Sequence, residues 1–240
     1  MFKHAFVQLR QMGAFAQDDM LHLKKAIQNP GFSSIFWVLL FLLFAFTETQ
    51  GRNDFDIFLQ ASRALWKGDD IYSLSYFDGY HFYYNTLFAI LLTPLTWIPV
   101  VIAKAIWIAF QVWMLCRLVT IFREIIPSSL IREKLKPFLV LIMLALVFRF
   151  IKSNIHLGQA TILILWLTTE GFRFLQNGRM LMAGFCIALA IDIKILPLVM
   201  LPYMLYRAHW KSFASTLVFI LLLNALPGIF IGMQHQTSLL

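Results

Sequence analysis

Charge is scarce in this chain: 13% of its 240 residues are Asp, Glu, Lys or Arg, against 60% hydrophobic. A water-soluble domain cannot cover that much apolar surface, so the composition points to a polytopic membrane protein. Cysteine is nearly absent. The two present, Cys116 and Cys186, both lie inside apolar segments, which implies no disulfide framework and leaves the redox compartment unread. The six histidines (4, 22, 81, 156, 209 and 235) are scattered with no HxxxH pair, and there is no CxxC, so no metal centre is expected. A P-loop, GxGxxG and GxSxG are all missing, which removes support for soluble nucleotide or hydrolase chemistry. No cofactor is expected. Acidic residues number 12 against 20 basic, a net charge of +8. In a soluble protein that excess would suggest nucleic acid. Here the basic residues sit in short loops between apolar runs, where they set membrane orientation instead.

The apolar runs are what the chain has in abundance. Residues 1–31 are polar and mildly amphipathic, and read as a cytoplasmic, interfacial segment ending at Asn29-Pro30-Gly31. Residues 32–47 form the first expected span, which starts too late for a cleaved signal peptide and reads as an uncleaved anchor. Residues 50–84 are the longest polar stretch. Residues 87–99 are apolar but short and interrupted by Pro94, so they predict a half-helix, a re-entrant segment or a short tilted helix. Residues 100–122 are long enough to span, and further apolar runs lie at 137–151, 160–172, 180–206 and 212–232. Pro197 and Pro202 break the 180–206 run into two short helices that meet near Lys194.

Orientation follows from the basic loops. If 87–99 does not cross, the segments 1–31, 117–136, 173–179 and 207–211 face the cytoplasm with thirteen of the twenty Lys and Arg. The opposite, extracytoplasmic side then receives Asp54, Asp56, His156, Gln159 and Lys194 together.

The stretch NDFDIFLQASRALWKGDDIY (53–72) holds four of the twelve carboxylates. Gly51-Arg52-Asn53 can start a helix and Gly68 can stop it. At 100° per residue, Asp56, Gln60, Arg63 and Lys67 share a narrow polar arc, while Phe55, Phe58, Leu59, Leu65 and Trp66 fall on a broad apolar side. This predicts an amphipathic helix on the membrane surface with Asp56 as a solvated charge. Asp54 points the other way. A carboxylate there is either a helix cap or a functional group, and periodicity leaves both open. Lys194, in ALAIDIKILPLV, is an ionisable group within an apolar run: it reads as a partner of Asp192, as a snorkelling lysine, or as a cation for an anionic head group. RFIKSNIHLGQ (149–159) brings Lys152, His156 and Gln159 to a helix-to-helix turn, as interfacial anchors or as site residues.

The ordered set DFDIFLQASRALWKGDDIY, FYYNTLFAILLTPLTWIP, HLGQATILILWL and AGFCIALAIDIKILPLVMLPYMLYR resembles the N-terminal part of glycosyltransferase family 87. The correspondence rests on Asp54, Phe55, Phe58, Ala61, Ala64, Gly68 and Tyr72, then Gly158-Gln159, then Lys194 with Pro197. Where the family usually places proline after the aromatic pair, this chain has Asn85-Thr86.

The resemblance implies a GT-C-like bundle of about seven transmembrane helices over residues 32–240, with the amphipathic helix in the first extracytoplasmic loop (50–84). It also implies that the family's C-terminal helices are lacking. The implied activity is transfer of a sugar, mannose or a related hexose or pentose, from a polyprenyl-phosphate donor to the hydroxyl of an extracytoplasmic glycolipid or glycan acceptor. Inversion is expected, with Asp54 as base. Lys194, His156, Gln159 and Lys152 would serve the lipid phosphate, and Tyr84, in the aromatic cluster 80–84, would wall the sugar. The expected location is a bacterial inner membrane. Two other readings remain: a non-catalytic truncated or split subunit that pairs with a missing C-terminal half, and a small transporter. No internal repeat supports the transporter.

Overall fold

The computed structural model describes residues 47–49, 51–125 and 136–232. The chain divides into two units, Met1–Thr47 and Glu48–Leu240. The tail 1–31 and nearly all of the first expected span lie outside the described residues. Within the second unit the described residues are helical, with no strand among them. The helices are α1 (Asp54–Lys67), α2 (Thr86–Leu91), α3 (Val100–Ile125), α4 (Lys136–His156), α5 (Thr161–Gln176), α6 (Met180–Ile193), α7 (Met200–Tyr206) and α8 (Trp210–Ile231).

Among the described residues two helices, α3 and α8, are long and apolar enough to cross a membrane. The expectation of about seven spans is therefore matched in helical class but not in number of full-length apolar crossings. The segment 87–99 breaks into six-residue α2 and a 3-10 turn at Thr93–Trp97. At about 1.5 Å per residue neither piece approaches the roughly 30 Å of a bilayer core. The 180–206 run splits as Pro197 and the corner at Lys194 predict. The corner residue caps α6 in an extended conformation, and α7 follows after a 3-10 turn at Leu196–Val199.

The tightest packing joins α5, α6 and α8 through small residues. A Cβ on Gly184 of α6 would collide with the Ser215 side chain of α8, and one on Gly171 of α5 would meet Ile187 of α6. Ser212 and Thr216 are fully buried in the same seam, alongside Ala183 and Ala188. Close backbone approach through Gly, Ala, Ser and Thr is how helices associate where lipid removes the hydrophobic drive between them. By contrast α4 is exposed through its middle: Leu146, Phe148 and Phe150 are 74%, 63% and 74% exposed.

Helix α1 is amphipathic as predicted, but protein covers its apolar side. Phe55, Ile57, Phe58, Leu59, Ala61 and Leu65 are buried. Phe55 stacks on Trp107 of α3 with ring centroids 5.2 Å apart. Phe58 meets Phe82, Tyr84 and Phe88 edge-on at 6.3, 4.8 and 5.2 Å. These aromatic pairs add about 0.5–1.5 kcal/mol each beyond the area they bury. Gly68 takes the left-handed conformation (φ 85°) and stops the helix, as its position predicts.

Candidate active site

The start of α1 separates the two aspartates more sharply than periodicity does. Asn53 is the N-cap residue, with extended backbone. The Asp56 carboxylate accepts the Asn53 backbone N–H at 2.8 Å. Capping chemistry therefore falls to Asn53 and Asp56, and Asp54 is not the cap. Asp56 is not a solvated charge either. Its Oδ2 lies 2.7 Å from Nζ of Lys104, and the two side chains are 13% and 6% exposed. Lys104 also donates to the Gly51 carbonyl at 2.6 Å. A wheel assigns the face opposite the apolar side to water, yet here α3 covers part of that face.

Asp54 is held by a different set of contacts. Its backbone N–H donates to the Leu157 carbonyl at 2.9 Å, and the Asn53 side chain donates to the His156 carbonyl at 3.3 Å. The turn 156–159 thus lies directly against the start of α1. Gly158 makes that approach possible: it has φ +66°, and a Cβ would stand 2.9 Å from Cβ of Phe55. Trp107 and Gln111 of α3 hold the same turn from behind, donating to the carbonyls of Gly158 and Gln159 at 3.2 Å each.

The Gln159 side chain hydrogen-bonds the Asp54 carboxylate. Its orientation is set by Asn154, whose Nδ2 donates to Oε1 of Gln159 at 3.2 Å. That leaves the Gln159 amide N–H groups for Asp54. Burial pushes the Asp54 carboxyl above its usual range, while the Gln159 bond and the positive charge of Lys194 pull it down. Lys194 Nζ lies 5.6 Å from the ring centre of Tyr84. The Tyr84 hydroxyl is pushed up to about 12, first by burial and then by the negative charge of Asp54, against a hydrogen bond from the Ala160 backbone. So Asp54, Tyr84, Gln159 and Lys194 converge from four separate segments.

His156 and Lys152 are not brought into this group. The His156 ring is 67% exposed and meets Glu48 at 2.6 Å. Lys152 is exposed one turn earlier on α4. The aromatic cluster 80–84 also divides: Phe82 is buried beneath Phe58, Tyr80 and Tyr83 are exposed, and Tyr84 faces the polar group.

Two features escape sequence reasoning. One is Asn154, which orients Gln159. The other is a polar knot behind Tyr84. Asn85 Nδ2 donates to Oδ1 of Asp192 and to Oδ1 of Asn224, both at 3.1 Å, while its own Oδ1 accepts the Leu87 N–H to cap α2. Asn85 therefore ties α2 to α6 and α8. Asp192 turns to Asn85, which removes it as the expected partner of Lys194. No group of three or more His, Cys, Asp or Glu able to hold a metal occurs among the described residues.

A groove of about 610 Å³ runs between α3, α4 and α5. Its walls are apolar, including Leu118, Phe122, Val147, Phe150 and Leu165, and its polar end is Ser153, Asn154 and Gln159. The groove thus ends on the residue that hydrogen-bonds Asp54.

The Gln159–Asp54 bond predicts a pH effect. The Gln159 donor stabilises the charged carboxylate, so Gln159→Leu raises the Asp54 pKa further. If activity needs the carboxylate, its acid limb moves to higher pH. A pH–rate profile of transfer checks this, and an unmoved limb would show that Asp54 does not set it.

No curated protein and no solved structure shows a significant match. The family model described as Glycosyltransferase family 87 matches residues 82–238, a region that begins after α1 and so leaves Asp54 outside it. Since the match takes in more than half of the chain, and takes in Tyr84, Gln159 and Lys194 with it, the chain belongs to glycosyltransferase family 87.

Proposed function

We propose that this chain is a multi-pass membrane glycosyltransferase that moves a sugar from a polyprenyl-phosphate donor to an acceptor hydroxyl at the extracytoplasmic surface. The observation that carries the reading is the apolar groove ending at Gln159, beside a carboxylate and a lysine. A long isoprenoid tail suits the groove, and its phosphate and sugar then reach the polar end.

In this reading Asp54 accepts the proton of the acceptor hydroxyl as that oxygen bonds to the anomeric carbon. The bond from that carbon to the phosphate oxygen breaks, and the phosphate leaves with the electron pair. Polyprenyl phosphate is a stable anion, so no acid is needed. Lys194 stabilises its charge. Gln159 aims the carboxylate, Tyr84 walls the sugar, and a single displacement inverts the anomeric centre. Mannose or a related hexose or pentose is the proposed sugar, and a glycolipid or glycan the acceptor.

One observation favours a second reading: the exposed apolar middle of α4 suits a subunit covered by another chain as well as one facing lipid. Membranes carrying this chain alone, incubated with labelled polyprenyl-phosphate sugars, separate the two. Incorporation of label into a glycolipid or glycan, with free polyprenyl phosphate formed in equal amount, is expected. Failure with every donor overturns catalysis by this chain and leaves the subunit.

A further inference from the structure

On the far end of α1 from Asp54 lies a second cleft, of about 390 Å³, formed by Arg63, Trp66 and Lys67 of α1 with Thr93, Thr96 and Trp97 of the following turn. Its walls are prearranged. The Trp66 indole N–H donates to the Thr93 hydroxyl at 2.8 Å, which in turn lies 3.2 Å from the Ser62 hydroxyl. One guanidinium nitrogen of Arg63 donates to the Thr96 carbonyl at 3.3 Å, which orients the remaining donors. The ion pairs among the described residues use Lys104, Arg117, His156 and Arg173, and neither Arg63 nor Lys67 takes part in one. The carboxylates of Asp69 and Asp70 follow Lys67 in the chain, but Oδ1 of Asp70 turns back to the amides of Tyr72 and Ser73.

The cleft's height relative to lipid follows from α3. Trp97, 79% exposed, stands three residues before Val100, where that long apolar helix begins. A tryptophan at the mouth of a crossing helix sits at the level of the lipid head groups. Two cations with no ion-pair partner among the described residues, at that depth and beside an exposed indole, match a phosphate group whose acyl chains lie alongside Trp97.

We propose that this cleft binds the phosphate of an anionic phospholipid of the surrounding bilayer, with Arg63 and Lys67 as its ligands. The site is separate from the groove that ends at Gln159. It rests on the reading that α3 crosses the membrane, but not on any catalytic step. Its consequence is that α1, which carries Asp54 at its other end, is moored to the lipid surface.

The test uses the full chain in vesicles of phosphatidylcholine doped with either brominated phosphatidylglycerol or brominated phosphatidylcholine. Bromine quenches nearby tryptophan, so incorporation into both vesicles establishes the membrane reading before the head group is tested. Half-maximal quenching is expected at a mole fraction of brominated phosphatidylglycerol lower on the order of tenfold, from two cations near the surface. That preference is expected to vanish in R63Q/K67Q, to persist in the charge-conserving R63K/K67R, and to shrink in W97F. Equal quenching by the two lipids in the unaltered chain, or a preference that survives R63Q/K67Q, overturns the proposal.

Discussion

Asp54→Asn is expected to lower sugar transfer by about two to four orders of magnitude, the range that a positioned general base supplies. Asparagine keeps the size of the side chain and can still pair with Gln159, but it cannot take a proton. The same substitution is expected to leave the fold at least as stable as before. The Asp54 carboxyl is raised by burial, so the folded chain binds its proton more tightly than the unfolded chain does. Its ionisation therefore opposes folding, and stability falls as pH climbs from the usual carboxylate range through the raised value. Removing the charge removes that penalty. Initial rates in proteoliposomes, with thermal unfolding of the same preparations, check both halves. Retention of more than a tenth of the rate would rule Asp54 out as the base.

The largest effect on stability is expected at the other aspartate. Lys104→Met leaves Asp56 with an uncompensated charge in a site where its side chain is 13% exposed. Removing one partner of a buried pair costs about 3–5 kcal/mol, whereas replacing both by neutral groups is often nearly neutral. The double variant Lys104→Met with Asp56→Asn is therefore expected to unfold at a higher temperature than Lys104→Met alone. Asparagine at 56 still accepts the Asn53 N–H, so the start of α1 keeps its cap. Transfer activity should follow stability through this series, because Asp54 sits in the first turn that the pair anchors. If Lys104→Met unfolds at the unaltered temperature, the pair does not hold α1 in place.

These two residues mark how far the sequence could be read. The helix at 54–67, its stop at Gly68, the broken segment around Pro94 and the corner at Lys194 were all legible, whereas the N-cap was left open at Asp54 and falls to Asn53 with Asp56. Each is set by residues near in sequence: Asn53 and Gly68, Pro94, Pro197. Loop charge led to the expectation that Asp54, Gln159 and Lys194 share a membrane side, and the structure brings the three near one another. What escaped was pairing between distant segments. Asp56 looked wet because a helical wheel shows which face is polar but not what lies across from it. The clue was Lys104, an ionisable residue in an apolar run that needed an opposite charge. Asn154 gave no such clue, since an amide in RFIKSNIH reads as an ordinary residue of a helix end. Asn85 was visible only as a departure from the family's proline, and its links to Asp192 and Asn224 cross more than a hundred positions.

The backbone bond from Asp54 to Leu157, closed over a glycine that tolerates no side chain, has a mechanical meaning. It welds the carboxylate and its glutamine partner into one rigid body spanning α1 and the α4–α5 turn. The two backbones cannot shift past one another without breaking that main-chain bond. In the proposed mechanism, the acceptor hydroxyl and the anomeric carbon are then brought to a site whose backbone stays put. In that mechanism, adjustment to different sugars would fall to the walls that this bond does not include: the loop before Tyr84 and the corner that carries Lys194.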